Sequence, residues 1–296
     1  MKLNEIYPHI LDAENALHPY YDPTLTKAGE DFNLDAPETY LLLALPSFEP
    51  EPLSAEILNV RSPYTNEEVY RHRLDSMARV GLLDALDEDH YKLTERGERA
   101  FKVIRYASYN AKASIAPLHT SDLEKLAGML LKRVEESLAS PEPPAKWSIS
   151  HSHKLAPGSD ASVMARIDYS LSDLIAYRDD SHLAAWKPNN VNGHTWDILT
   201  LLWLHESESI DTVLQKLSRR GHSFEESEEA LKNLVRLHWA NYSLDIYTIT
   251  SEGRAVRKAA EELTDSYFYA PWSEVSEKDL DALADLLLRY KKGLSS

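Results

Sequence analysis

Arg71, His72, Arg73, Ser76 and Arg79 form one short run in this chain. Arginine can hold a phosphate or read a guanine edge, and serine and histidine can add hydrogen bonds to either. That is the chemistry of a double-stranded DNA contact. A second group is rich in histidine. In extended chain, His151 and His153 would share a side and could clamp a metal. No third ligand follows at a recognisable spacing, so this stretch reads as polar linker. His182 with Asp179 and Asp180 reads as a cluster on a helix surface.

Little else suggests reaction chemistry. The chain has no cysteine, which excludes disulfides, thiolate catalysis and Cys-ligated metals. It lacks H-E-x-x-H, G-x-S-x-G, the phosphate loop and the dinucleotide fingerprint, and its 9 glycines are few for loops that cradle phosphate. No catalytic residue, metal site or cofactor is expected, and the chain reads as a non-enzyme.

These residues need helices to position them. Tyr70, Leu74, Met77, Ala78 and Gly81 form one apolar stripe from residue 67 onward. A helix over 67–80 would then turn Glu68, Arg71, His72, Asp75, Ser76 and Arg79 outward, with Arg73 at the boundary. On that face Glu68 could pair with His72 and Arg71 with Asp75. Around it the spacing predicts a helix over 37–45 and another over 55–59 capped by Ser54. A hairpin of 82–86 and 90–93 follows, then a helix from 95 to 105 capped by Thr94. Helix, helix, helix, hairpin, helix is the order of a winged helix-turn-helix.

The pattern recurs 157 residues later. Glu38–Leu83 maps without a gap onto Thr195–Ala240, and Asp122-Leu123-Glu124-Lys125-Leu126-Ala127 faces Asp279-Leu280-Asp281-Ala282-Leu283-Ala284. The second copy predicts a helix over 212–217 capped by Asp211, a third helix over 224–237, a hairpin of 239–242 and 245–249, and a helix over 251–263 capped by Thr250. A helix over 171–186 precedes this copy. Its counterpart in the first copy is interrupted by Pro19 and Pro23. The expected organisation is an acidic arm over 1–33, a first winged unit over 34–139, a proline-rich linker over 140–162 with room for a strand at 146–150, and a second winged unit over 163–296.

A winged helix flanked by terminal packing helices resembles the MarR-type bacterial regulators, which pair as homodimers through those helices. Two such units in one chain imply a single-chain pseudo-dimer, mainly α-helical with small β-hairpin wings. Thr264-Asp265-Ser266-Tyr267-Phe268-Tyr269-Ala270-Pro271-Trp272 resembles a T-D-x4-A-P-W ending of bacterial helix-turn-helix proteins. The resemblance implies a transcriptional regulator. It also implies a pocket for an aromatic small molecule, for which Tyr177, Trp186, Trp203, Tyr267, Tyr269 and Trp272 are the candidates. The same aromatics could instead form the core between the units.

The net charge of −16 is unevenly spread. Residues 1–52 carry −8 of it, and residues 53–106 only −1. The second unit's equivalent helix face is Glu225, Glu228, Glu229, Lys232, Asn233 and Arg236, whose acids would repel phosphate. Arg219 and Arg220, in the turn before it, could still touch a DNA backbone. Arg99, Lys102 and Arg105 share a face of the helix after the first wing. The expectation is therefore an asymmetric DNA-binding regulator working mainly through the first unit. Two alternatives stay open: an acidic winged-helix module for a protein partner, and a small-molecule sensor with no direct DNA contact. The N-terminus lacks a basic and apolar leader and no stretch suits a membrane span, so a cytoplasmic location is expected.

Overall fold

The computed structural model describes residues 2–295. The chain is mainly helical, with two antiparallel hairpins. In order it forms α1 (Ile6–Glu30), α2 (Ala36–Ala44), α3 (Ala55–Asn59), α4 (Glu67–Arg79), β1 (Leu83–Ala85), β2 (Tyr91–Leu93), α5 (Glu95–Ala113) and α6 (Thr120–Ala139). Then come α7 (Trp147–Lys154), α8 (Val163–Trp186), α9 (Gly193–His205), β3 (Ser207–Glu208), α10 (Ile210–Lys216) and α11 (Phe224–Arg236). The chain ends in β4 (Ala240–Ser243), β5 (Ile246–Ile249), α12 (Ser251–Tyr269) and α13 (Glu277–Leu294). Helices α4 and α11 both start and end 157 residues apart.

Capping chemistry sets many of these boundaries. Ser54 accepts from Ile57 N–H at 3.1 Å to start α3, and Asn66 accepts from Glu68 N–H at 3.0 Å at the start of α4. Thr94 caps α5 through Gly97 N–H at 3.0 Å, and Thr250 caps α12 through Gly253 N–H at the same distance. Each of these threonines also donates back to the turn before its hairpin, to the carbonyls of Gly81 and His238 respectively.

The hairpins are short. Leu83 pairs with Leu93, and Ala240 with Ile249. A third strand, β3, joins the second hairpin through Glu208 and Tyr247. In the first half the corresponding contact is a single bridge between Leu53 and Tyr91.

Several expectations need correction. Ser209, not Asp211, caps α10, accepting from Thr212 N–H at 3.3 Å. The segment 146–150 enters a helix, α7, not a strand. That helix is capped by Asp180, whose carboxylate accepts from Ser148 and Ile149 N–H at 2.8 and 2.9 Å. Asp180 is therefore buried, not on a helix surface. The helices after both hairpins run on well past residues 105 and 263. Helix α1 continues through Pro19 and Pro23. Proline removes a backbone bond there, but Ile6, Ile10, Ala13, Leu17, Tyr21 and Leu25 make one buried stripe along the whole helix. That burial offsets the lost bonds.

The chain forms two compact units that do not follow its halves. One comprises residues 2–53, 76–181 and 265–295; the other comprises 54–75 and 182–264. In the first unit α1 packs on α5 and α13, with a core that includes Ile10, Leu42, Leu126 and Leu287. In the second, α9 and α11 pack over the hairpin around Leu199, Leu202, Val213, Leu231 and Leu234.

The first unit also buries an ion pair. Lys112 and Asp168 are 3% and 4% exposed and bond to each other. Tyr21 O–H donates to Asp168 at 3.2 Å, and the Lys112 ammonium sits 4.0 Å from the centre of the Tyr21 ring. Burial, then the charge of Asp168, pushes the Tyr21 hydroxyl far above its ordinary pKa. Lys112→Met leaves the buried Asp168 carboxyl without its cation, which should cost about 3–5 kcal/mol in urea unfolding. Adding Asp168→Leu should recover most of that loss. An equal loss in the single and double variants would contradict the pairing.

Candidate nucleic-acid interface

Helix α4 places the first candidate group. His72 and Arg79 are exposed, and Arg71, Arg73 and Ser76 are half-buried. Arg71 Nε donates to Glu68 at 3.3 Å. The helix thus offers cationic side chains along its length, with Glu67 and Glu68 at its start.

The N-terminal end of α4 is not open. Within the second compact unit, the turn before α4 and the turn before α11 pack on each other. Asn66 N–H donates to the Arg220 carbonyl at 2.8 Å, and Asn66 Nδ2 donates to both carboxylate oxygens of Glu226 at 3.2 and 3.3 Å. His222 Nε2 donates to the Tyr64 carbonyl at 2.9 Å. Two glycines permit this approach. A Cβ on Gly193 would fall 2.0 Å from the Pro63 carbonyl oxygen. Gly221 has φ +73° and would meet Val69 at 2.3 Å. Among these residues only Arg220 stands out in the sequence as a contact residue, although two of the few glycines mark the spot.

Arg220 takes part in this junction. Its guanidinium bonds Asp197 at 2.9 Å and lies 5.3 Å from the centre of the Tyr64 ring. Beneath it, His194 stacks on His222 with ring centres 3.7 Å apart, and His194 Nε2 bonds Ser227 Oγ at 3.0 Å. Burial, and then the neighbouring His222, lowers the His194 pKa to about 4.

Helix α11 presents an acidic groove. Glu225, Glu226 and Glu229 line a cavity of about 540 Å³ together with His194, Asn233 and Arg236. Glu229 pairs with Arg236 at 2.6 Å and Glu228 with Lys232 at 2.8 Å, so both cations of this helix face are already matched by its own carboxylates.

The basic face of α5 is smaller than expected. Arg99 and Lys102 are exposed, but Arg105 turns inward. It donates to the Leu155 carbonyl at 2.7 Å and lies within 6 Å of the ring centres of Phe101, Tyr109 and Tyr169.

The six candidate pocket aromatics fall into two groups, one in each compact unit. In the second unit Trp186 stacks on Trp196 at 5.4 Å and donates to Tyr64 Oη at 2.9 Å, while Arg257 lies 4.9 Å from the centre of the Trp203 ring. In the first unit Tyr177 O–H donates to the carbonyls of Glu142 at 2.7 Å and Tyr267 at 3.2 Å. There Tyr269 Oη accepts from Tyr7 N–H at 3.4 Å, and Trp272 is buried with the Arg133 guanidinium over its ring. In the T-D-x4-A-P-W segment, Asp265 bonds Arg178 at 2.6 Å and Thr264 donates to the Ala260 carbonyl at 2.6 Å. These contacts fix the end of α12.

The two histidines of the linker point to different sides of α7, because positions two apart on a helix do not share a face. His151 stacks on Trp147, with ring centres 4.0 Å apart, and His153 bonds Asp173 at 2.7 Å. No group of three or more His, Asp or Glu suited to a metal occurs among the described residues. No helix among them is long and apolar enough to cross a membrane.

Residues 176–295 match the model of a Helix-turn-helix family, and this part of the chain is a helix-turn-helix domain. No curated protein and no solved structure matches the chain.

Two outcomes test the junction. Gly193→Ala should cost about 1–3 kcal/mol in chemical denaturation, since the backbone of Pro63 must move; an unchanged midpoint would contradict the close approach. His194 faces His222, Glu226 and Arg220, and it stays neutral when folded. Between pH 6.5 and about 4 the unfolded chain takes up a proton that the folded chain does not. Stability should fall with pH across that window, on the order of 2–3 kcal/mol in all. His194→Gln should flatten the slope, and an unchanged slope would contradict the assignment.

Proposed function

We propose that this protein is a DNA-binding helix-turn-helix regulator of MarR-like type that engages duplex DNA through one recognition helix, α4. One observation carries the asymmetry: α4 and α11 begin within a hydrogen bond of each other, at Asn66 and Glu226. A paired reader sets its two recognition helices about one DNA turn apart, roughly 34 Å. The ends that would reach base edges are here only two side-chain lengths apart. Two successive major grooves cannot take both.

Charge selects between the two helices. Helix α4 offers Arg71, His72, Arg73 and Arg79, with Ser76 as a neutral donor. Helix α11 would present Glu225, Glu226 and Glu229 to phosphate. Because Asn66 and the first turn of α4 are engaged, contact falls to the middle and end of the helix. Arg71 and Arg73 then lie nearest the bases, and Arg79 nearest a phosphate.

A second reading has its own observation. The acidic groove along α11 suits a basic segment of a protein partner. One binding experiment separates the two. Fluorescence anisotropy on randomised duplex DNA at low salt should show binding that weakens steeply as salt rises. An Arg71→Ala, Arg73→Ala double variant should lose at least about tenfold in affinity, while Glu225→Gln, Glu229→Gln should lose none. Absence of binding at low salt with the fold intact would rule out the DNA reading and leave the partner reading in its place.

A further inference from the structure

The second hairpin ends in an exposed apolar tip. Leu244 and Asp245 are its two turn residues, at φ +51° and +60°. A two-residue turn of this kind favours Asn-Gly, because a bulky side chain is strained at positive φ. Here the first place is held by a leucine that is 92% exposed. Tyr242 and Ile246 beside it are 52% and 39% exposed. The single chain gains no burial from a strained leucine in water.

The strand behind this tip is open. In the sheet order β3-β5-β4, β4 is an edge. Ser243 and Ile246 close the hairpin, so Ser243 and Asn241 bond β5 while the backbone N–H and C=O of Tyr242 face outward. Edge strands are ordinarily guarded by charge, proline or a bulge. Ala240-Asn241-Tyr242-Ser243 has none of these. The first hairpin shows the contrast. Its strands carry Asp84 and Lys92, and its tip is Asp87-Glu88-Asp89.

We propose that β4 is the docking edge for a second copy of this chain, paired antiparallel across a two-fold axis at Tyr242. Such an edge is complementary to itself. In that register each Tyr242 exchanges two backbone bonds with its counterpart, and Asn241 faces the second copy's Ser243. Leu244 comes beside the second copy's Ala240. Exposed Asp245 then lies towards the second copy's exposed His238, so the ends of the contact are matched in charge. No two like charges meet along the strand. The equivalent pairing of β1 about Asp84 would set two carboxylates face to face, which is destabilising. The contact is small beside the roughly 800 Å² per partner of a stable interface, and each copy carries −16. The pair is therefore weak, and salt strengthens it by screening that repulsion. DNA binding would respond to salt in the opposite sense.

Sedimentation velocity of the full chain without DNA, from about 10 to 500 µM, tests the pairing. The average mass should rise with concentration, and more so at about 0.5 M salt than at about 0.05 M. Leu244→Asn should abolish the rise while the melting temperature holds or increases, since asparagine suits the turn. The chain has no cysteine of its own, so Tyr242→Cys reports one contact alone. Paired residues in this register have Cα atoms about 5.5 Å apart, within the reach of a disulfide. Mild oxidation should therefore link two copies of that variant. Leu131→Cys, exposed on α6, should not link them. A monomer at every concentration would overturn the proposal. So would a dimer that Leu244→Asn leaves unchanged, or crosslinking of Leu131→Cys as fast as that of Tyr242→Cys. None of these outcomes depends on whether the chain binds DNA.

Discussion

The turns that precede α4 and α11 share one small space, and the arrangement of the second compact unit follows from it. Pro63 and Tyr64 lie against Gly193 and His222, and Asn66 reaches both Arg220 and Glu226. Any side chain at 193 would collide with backbone. The segment 54–75 consequently folds with residues 182–264 and not with the rest of its own half. Helices α4 and α11, packed turn to turn, give up the open N-terminal ends through which recognition helices ordinarily reach base edges.

With those ends engaged, the exposed length of each helix decides what it can meet. On α4 that length carries arginine and histidine. On α11 it carries glutamate, and Lys232 and Arg236 are already matched by Glu228 and Glu229. Similar helical frames thus differ in charge: on α4 Glu67, Glu68 and exposed Asp75 balance three arginines, whereas α11 carries an acidic excess. The net charge of −16 does not forbid a DNA contact, because half of the excess lies in residues 1–52. The segment that flanks α4, residues 53–106, carries only −1.

Local rules were readable in the sequence; tertiary ones were not. Ser54, Thr94 and Thr250 announce helix starts through their hydroxyls, and the spacing of Leu74 and Met77 gives the inward face of α4. Helix α1 defeated the same reasoning, since Pro19 and Pro23 argue for a break that a long buried stripe overrides. Helix α7 was missed because its cap comes from Asp180, far along the chain. Arg71, Arg73 and Arg79 could be placed on one helix from type and spacing. Asn66 as a junction residue could not be named, nor could Asp173 beneath His153. Their roles depend on partners 160 and 20 residues away.

Hydroxyl-radical footprinting on a duplex selected for tight binding tests the single-helix geometry most directly. One recognition helix should protect one continuous stretch, centred on a single major groove. Two protected stretches separated by about one helical turn, 10–10.5 base pairs, would mean that α4 and α11 both enter the DNA, and would contradict the turn-to-turn junction as the state that binds.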